Sequence, residues 1–192
     1  TVLTRNTNLL TDTAYTNAYI RNCLIPMVDS LKGHPAIIAW EIFNEPEGMS
    51  TEFGWSEINH VPMSAIQKFV NLCAGAIHRT DPSALVSNGS VSIKTLTDIT
   101  PSASLLKIDE QQQREVATFI KNKYNFTASV EEIQIHLNHL ATMANYNYYS
   151  DERLVAVGGD ADGFLDFYMF HYYGTDVTTS PFVKSASTWN LP

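Results

Sequence analysis

The most constraining feature of this chain is the run Ala36-Ile37-Ile38-Ala39-Trp40-Glu41-Ile42-Phe43, which follows His34-Pro35 and closes on polar Asn44-Glu45. It is apolar almost throughout and β-branched in part. A strand of that composition calls for cover on both faces, which a parallel sheet flanked by helices provides. The residues from there to Asn88 are consistent with such a sheet. A loop from Glu47 to Val61 leads to Pro62, well placed to open a helix whose apolar stripe is Ile66, Phe69, Val70, Cys73 and Ile77. That helix stops near Thr80-Asp81-Pro82, and Ala84-Leu85-Val86-Ser87-Asn88 is a second short strand. Strand, helix and strand with short joins is the signature of parallel α/β construction.

The same rhythm extends to either side. Ala14 to Leu31 is expected to be an amphipathic helix, with Tyr19, Cys23, Met27 and Leu31 at four-residue spacing, Gly33 as a stop and Pro26 as a kink or a join. Leu105 to Lys123 and Ser129 to Met143 are two polar helical patterns, the second with capping-box spacing from Ser129 to Glu132. They form a helical insertion over 101–143. A short helix follows at Asp151 to Val157, then a turn from Gly158 to Gly163. A third strand, Phe164 to Phe170, ends in His171-Tyr172-Tyr173. Three strands thus end in polar, chemically capable residues: Asn44-Glu45, Asn88-Gly89-Ser90 and His171-Tyr172-Tyr173. In (β/α)8 barrels the active site is assembled from the C-terminal ends of several strands.

Charge narrows the partners. The formal net charge is −8 and no lysine- or arginine-rich run appears, so nucleic acid and anionic membrane surfaces are poor partners. No run of 18 apolar residues appears either. The first residues do not form a signal peptide, and the chain does not begin with Met. Cys23 and Cys73 sit in helical patterns and are expected to be buried free thiols, with a bridge between neighbouring helices as the other possibility. His136 and His139, at helical i, i+3 spacing, are expected on a solvated face. Asp160, Asp162 and Asp166 around Gly163 lack the glutamate that a calcium loop places at its twelfth position, so they are read as a turn.

The stretch His34-Pro35-Ala36-Ile37-Ile38-Ala39-Trp40-Glu41-Ile42-Phe43-Asn44-Glu45-Pro46-Glu47-Gly48 resembles the fourth strand of glycoside hydrolase family 5 and its wider clan. Ile77-His78-Arg79-Thr80-Asp81-Pro82-Ser83-Ala84-Leu85-Val86 and Leu165-Asp166-Phe167-Tyr168-Met169-Phe170-His171-Tyr172-Tyr173 resemble the family's fifth and sixth strands, in the same order. The likeness is greatest to the family's endo-β-1,4-mannanases, through the Asn-Glu-Pro-Glu-Gly form, Gly158-Gly159-Asp160 and Ser180-Pro181-Phe182. The resemblance implies part of a (β/α)8 barrel, strands four to six with the insertion between strands five and six, over 1–192 as one partial catalytic domain. It implies a retaining hydrolase without metal or other cofactor, acting on internal β-1,4-mannosidic bonds of β-mannan and secreted because polymeric substrates lie outside cells. An endo-β-1,4-glucanase is the alternative within enzymes. A non-catalytic carbohydrate-binding protein on a degenerate barrel is the alternative outside them.

Carried over residue by residue, the resemblance makes Glu45 the general acid/base and Asn44 the residue bonded to the sugar 2-hydroxyl. It makes His171 a contact to the substrate or a support for the carboxylates, and Tyr173 a hydrogen-bond donor to the nucleophile. Trp55, Tyr172 and Glu47 are the expected substrate-binding residues, the two aromatics by stacking on sugar faces. Where relatives often carry an aromatic, this chain has Val91. Retaining hydrolysis needs two carboxyl groups about 5–5.5 Å apart. No Glu follows His171, and the only acid after it is Asp176, so the nucleophile is expected to lie outside this chain and these 192 residues are expected to be inactive alone.

Overall fold

The computed structural model describes residues 2–54, 59–98, 110–124, 127, 129 and 145–171. The chain forms two compact units, residues 1–96 with 147–172 and residues 97–146 with 173–192. In the first unit β1 (Trp40–Asn44), β2 (Val86–Ser90) and β3 (Met169–Phe170) form one sheet in that order, both neighbouring pairs parallel. Their C-terminal ends therefore share one edge. Helices α1 (Val2–Thr11), α2 (Thr13–Tyr19), α3 (Ile25–Leu31), α4 (Met63–Thr80) and α6 (Asp151–Gly158) belong to the same unit. In the second unit α5 (Glu110–Tyr124) overlaps the first of the two polar helical patterns and ends one residue beyond it. The pattern from Ser129 to Met143, with His136 and His139, lies outside the described residues apart from Ser129.

Helix α4 organises the core. Ile66, Phe69, Val70, Cys73 and Ile77, the expected stripe, are all buried. Phe69 receives the rings of Tyr19, stacked at 5.8 Å, and Phe43, edge-on at 5.9 Å, which tie α2 and β1 to the same helix. Each large apolar side chain so buried contributes roughly 1.5–3 kcal/mol. The start of α4 lacks a side-chain cap from Pro62, and Glu52 supplies one instead: both its carboxylate oxygens accept from the Met63 amide, at 3.0 and 3.2 Å. A carboxylate there also opposes the positive end of the helix dipole.

Three sequence expectations shift. First, α2 and α3 run through Pro26 without a break, because Ile20–Leu24 between them is π-helical. The Ile25 amide reaches back to Ile20, and this wide turn gives the proline ring room before the carbonyl it would otherwise crowd. Second, the inward stripe of that helix is Thr16, Ile20, Leu24 and Val28, while Met27 is 43% and Leu31 38% exposed. Both stripes have four-residue spacing, and the position of α4 selects between them. Cys23 is exposed as a result, and only Cys73 is buried; neither forms a disulfide. Third, β1 begins at Trp40, and Ile38 ahead of it is 85% exposed. One side of the sheet packs on α4; the other is an open groove of about 400 Å³ with Ile37, Ile38, Glu41, Ser87 and Met169 among its lining residues. The full cover expected for the apolar run is not present among the described residues.

The cysteines give a direct check. Burial pushes the Cys73 thiol up to about 12. A thiolate-selective reagent at pH 8 is therefore expected to modify one thiol per native chain, at Cys23, and two after denaturation; two reactive thiols in the native chain would contradict the placement of Cys73.

The 158–163 segment is a turn held by α4. Asn71, fully buried, donates from Nδ2 to the carbonyls of Asp160 (2.8 Å) and Gly163 (2.9 Å) and accepts the Asp160 amide at Oδ1 (3.1 Å). Arg79 holds the Asp160 carboxylate bidentately at 2.7 Å and reaches Asp162 at 3.2 Å. His78 stacks on Phe164 and meets the Asp162 carbonyl and the Asp166 carboxylate, whose Oδ2 also accepts the Val86 amide at the start of β2. The Arg79 guanidinium holds the Asp160 carboxyl below its ordinary value. Because the folded value is the lower one, the stabilisation is complete above pH ~4 and is lost as pH falls through the folded value. Melting temperature followed from pH 5 down to pH 2.5 is expected to fall less steeply in Asp160→Asn than in the parent chain. Equal slopes would show that the pair does not contribute.

Candidate active site

At the C-terminal edge of the sheet the chain does something unusual. Glu45 has φ 48° and ψ 50°, the left-handed region, and is the one non-glycine residue with positive φ among the described residues. A side chain there costs about 1–3 kcal/mol, which the surroundings must offset. Three features hold it. The Glu45 amide donates to the Gly89 carbonyl at 2.6 Å, and its carbonyl accepts from Gly48 at 3.2 Å. Pro46 follows and opens the 3-10 turn Pro46–Met49. The register between β1 and β2 also shifts between Glu41 and Asn44, so the last residues of β1 leave the regular pleat.

The outcome is a carboxyl group that is only 7% exposed and meets the imidazole of His171: Nδ1 of His171 lies 2.6 Å from Oε1 of Glu45. His171 directly follows β3, and its amide donates to the Ser90 carbonyl at 2.8 Å, extending the ladder by one bond. The ends of β1 and β3 thus converge over β2. Residue 89 lies between them and is glycine for a spatial reason. A Cβ there would land inside the Glu41 carboxylate and close on Nε2 of His171, at 3.2 Å. The site thus joins a carboxyl and an imidazole by one short hydrogen bond in partial shelter from water.

Of the expected residues, the structure brings Glu45 and His171 together. Asn44 ends β1, exposed and paired through its Cα with Gly89. Trp55, Tyr172 and Tyr173 lie outside the described residues. Glu47 is a correction. It was expected to bind substrate, yet it is fully buried, with Oε1 accepting the Tyr149 hydroxyl at 2.7 Å and Oε2 accepting the Val91 amide at 3.1 Å. Both oxygens are committed to the protein interior. Asn88 is also buried.

Sequence reasoning missed Glu41, Gly89 and Tyr149. Gly89 carried a signal, a glycine within a strand pattern, which marks close approach of neighbouring groups. Tyr149 carried none, because only the fold brings it to Glu47. Burial, and next to it the Glu47 carboxylate, push the Tyr149 hydroxyl well above its ordinary value. No group of His, Cys, Asp and Glu able to hold a metal ion occurs among the described residues. No helix there is long and apolar enough to cross a membrane.

No family model matches the chain. A mannan endo-1,4-β-mannosidase of Cryptopygus antarcticus is 29% identical over 183 residues, covering 86% of this chain and 36% of the relative. The enzyme of the same name from Mytilus edulis is 29% identical over 209 residues, covering 97% of this chain and 45% of the relative. The solved structure of a β-mannanase from the blue mussel Mytilus edulis superimposes with a TM-score of 0.64 at 28% identity, over 96% of this chain and 46% of that one. The chain spans less than half the length of these relatives, and over that span it is similar to β-1,4-mannanases in both sequence and fold.

Proposed function

We propose that this chain is part of a retaining endo-β-1,4-mannanase of the glycoside hydrolase family 5 type, with Glu45 as its general acid/base. The observation that carries the reading is the sheltered Glu45 carboxyl, raised on a left-handed turn at the C-terminal edge of a parallel sheet and bonded to His171 at 2.6 Å. In this reading Glu45 protonates the leaving glycosidic oxygen and then takes a proton from the attacking water. His171 fixes the orientation of the carboxyl. Asn44 at the exposed strand end is the partner of the sugar 2-hydroxyl, Tyr173 is the partner of the nucleophile, and Trp55 and Tyr172 are sugar platforms. The nucleophilic carboxylate stands about 5–5.5 Å from Glu45 and comes from a strand other than β1, β2 and β3.

Two further parts of the reading concern architecture and place. The three parallel strands correspond to strands four to six of a (β/α)8 barrel, with residues 101–143 as an insertion. The Tyr148 amide donates to the Thr95 carbonyl at 2.9 Å, so the chain on either side of that segment is pinned together, as an insertion requires. A polymeric substrate makes the protein extracellular.

The test is hydrolysis by the complete protein of β-mannan and of carboxymethylcellulose. Release of manno-oligosaccharides with retained anomeric configuration is the expected result. Activity on cellulose alone would replace mannan by glucan as the substrate, and binding without cleavage of either polymer would favour a carbohydrate-binding protein.

A further inference from the structure

We propose that the buried Glu47–Tyr149 pair is a positioning device for the acid/base, holding both Glu45 and His171 in place; this rests on the reading of Glu45 given above. Glu47 lies two residues after Glu45, inside the 3-10 turn that begins at Pro46. Its carbonyl is gripped by Ser50 through both the amide (2.9 Å) and the hydroxyl (2.7 Å), so the turn is stiff at the Glu47 backbone. Its side chain points into the interior, where Oε1 takes the Tyr149 hydroxyl and Oε2 takes the Val91 amide.

The second of these bonds reaches the other half of the site. Val91 directly follows Ser90, and the Ser90 carbonyl accepts the amide of His171. A closed circuit results. Tyr149 holds Glu47, Glu47 holds the turn on one side and the end of β2 on the other, the turn carries Glu45, the end of β2 carries His171, and the two meet at 2.6 Å. Asn88 and Ser90, both buried, face the Tyr149 hydroxyl without meeting hydrogen-bond geometry, so Glu47 remains its partner.

Stability alone does not account for a carboxylate at this position. A buried carboxylate is costly to desolvate, and no salt bridge to Glu47 forms among the described residues. An apolar side chain would fill the site at less cost but could not bond Tyr149 and Val91 at once. The left-handed conformation of Glu45 needs over-determination by its neighbours, and the circuit supplies it. Glu47 and Tyr149 touch no substrate in this arrangement; they act through Glu45 and His171.

The test reads the His171 imidazole by ¹⁵N NMR in the complete protein and in its Tyr149→Phe variant. That substitution removes one oxygen and keeps the ring. The expected result is a shift of the His171 Nδ1 resonance toward its position in Glu45→Gln, together with a lower melting temperature. Asn71→Ala is the control: it lowers the melting temperature from outside the circuit and is expected to leave the His171 resonance in place. An unchanged His171 resonance in a folded Tyr149→Phe would overturn the proposal, as would an equal shift in Asn71→Ala. If Tyr149→Phe does not fold, Glu47→Gln, which keeps an oxygen for Tyr149 and gives up the second acceptor, is read in the same way. In the complete enzyme Tyr149→Phe is expected to lower kcat by about 10- to 100-fold with KM little changed, the scale of a small misplacement of a catalytic group; a raised KM with unchanged kcat would also overturn the proposal. Because the NMR measurement requires no hydrolysis, it separates failure of this proposal from failure of the mannanase reading.

Discussion

On the mannanase reading proposed above, Glu45→Gln in the complete protein is expected to reduce kcat on β-mannan by about 10²- to 10⁴-fold, the contribution of a positioned general acid/base. The amide fits the same space and can still meet His171, so the fold and the substrate affinity should survive. It cannot deliver a proton to the leaving oxygen. The loss should be selective in a way that a folding defect would not be. An aryl glycoside whose leaving group departs without protonation should still form the covalent intermediate, whereas breakdown of that intermediate, which needs the same group as a base, should stay slow. A small anionic nucleophile such as azide, which needs no deprotonation, should restore turnover and yield a glycosyl azide with retained configuration. Near-parental activity of Glu45→Gln on mannan would remove Glu45 from the role, whatever the resemblance implies.

The largest effect on folding is expected at Asn71, whose hydrogen bonds go to the 158–163 turn. Asn71→Ala removes three hydrogen bonds to the 158–163 turn and leaves two carbonyls and one amide without their partner, the Gly163 carbonyl in a buried place and the Asp160 groups in a half-buried one. At about 1–3 kcal/mol for each group left unsatisfied, the loss is on the order of 3 kcal/mol or more. A single domain is stable by only about 5–15 kcal/mol, so this is a large share. The side chain has no substitute, since Gly158 and Gly163 press so closely on it that a Cβ at either would land on its amide. Equilibrium urea unfolding is the measurement: the midpoint should fall and the slope should stay the same. A midpoint shift equivalent to less than about 1 kcal/mol would show that water replaces the amide without penalty.

Particular residues show how far the sequence could be read. The inward stripe of α4 was legible because its apolar residues recur at helical spacing, whereas the burial of Gln67 and Asn71 on the same helix was not. The stripe of α2 and α3 was not, because two apolar series of the same spacing run side by side, and Val28 rather than Met27 faces inward only because α4 lies on that side. The turn at 158–163 was legible from its glycines and aspartates. Its clamp by Asn71, His78 and Arg79 was not, since the partners lie more than 80 positions away along the chain.

The candidate site divides along the same line. Asn44, Glu45 and His171 were found from sequence because each ends a strand and carries chemistry there. Local pattern determines strand ends, helix faces and turns, for these depend on neighbours a few residues apart. Glu47 belongs to the same local motif, and the sequence could say only that a second carboxylate stands beside Glu45. Whether that carboxylate faces a sugar or the core depends on what is packed beneath it. The tertiary structure decided this by bringing Tyr149 across 102 positions of chain to meet it. A buried hydroxyl and a strand-end amide, both in need of an acceptor, turn Glu47 inward, and no local pattern records where those donors come from.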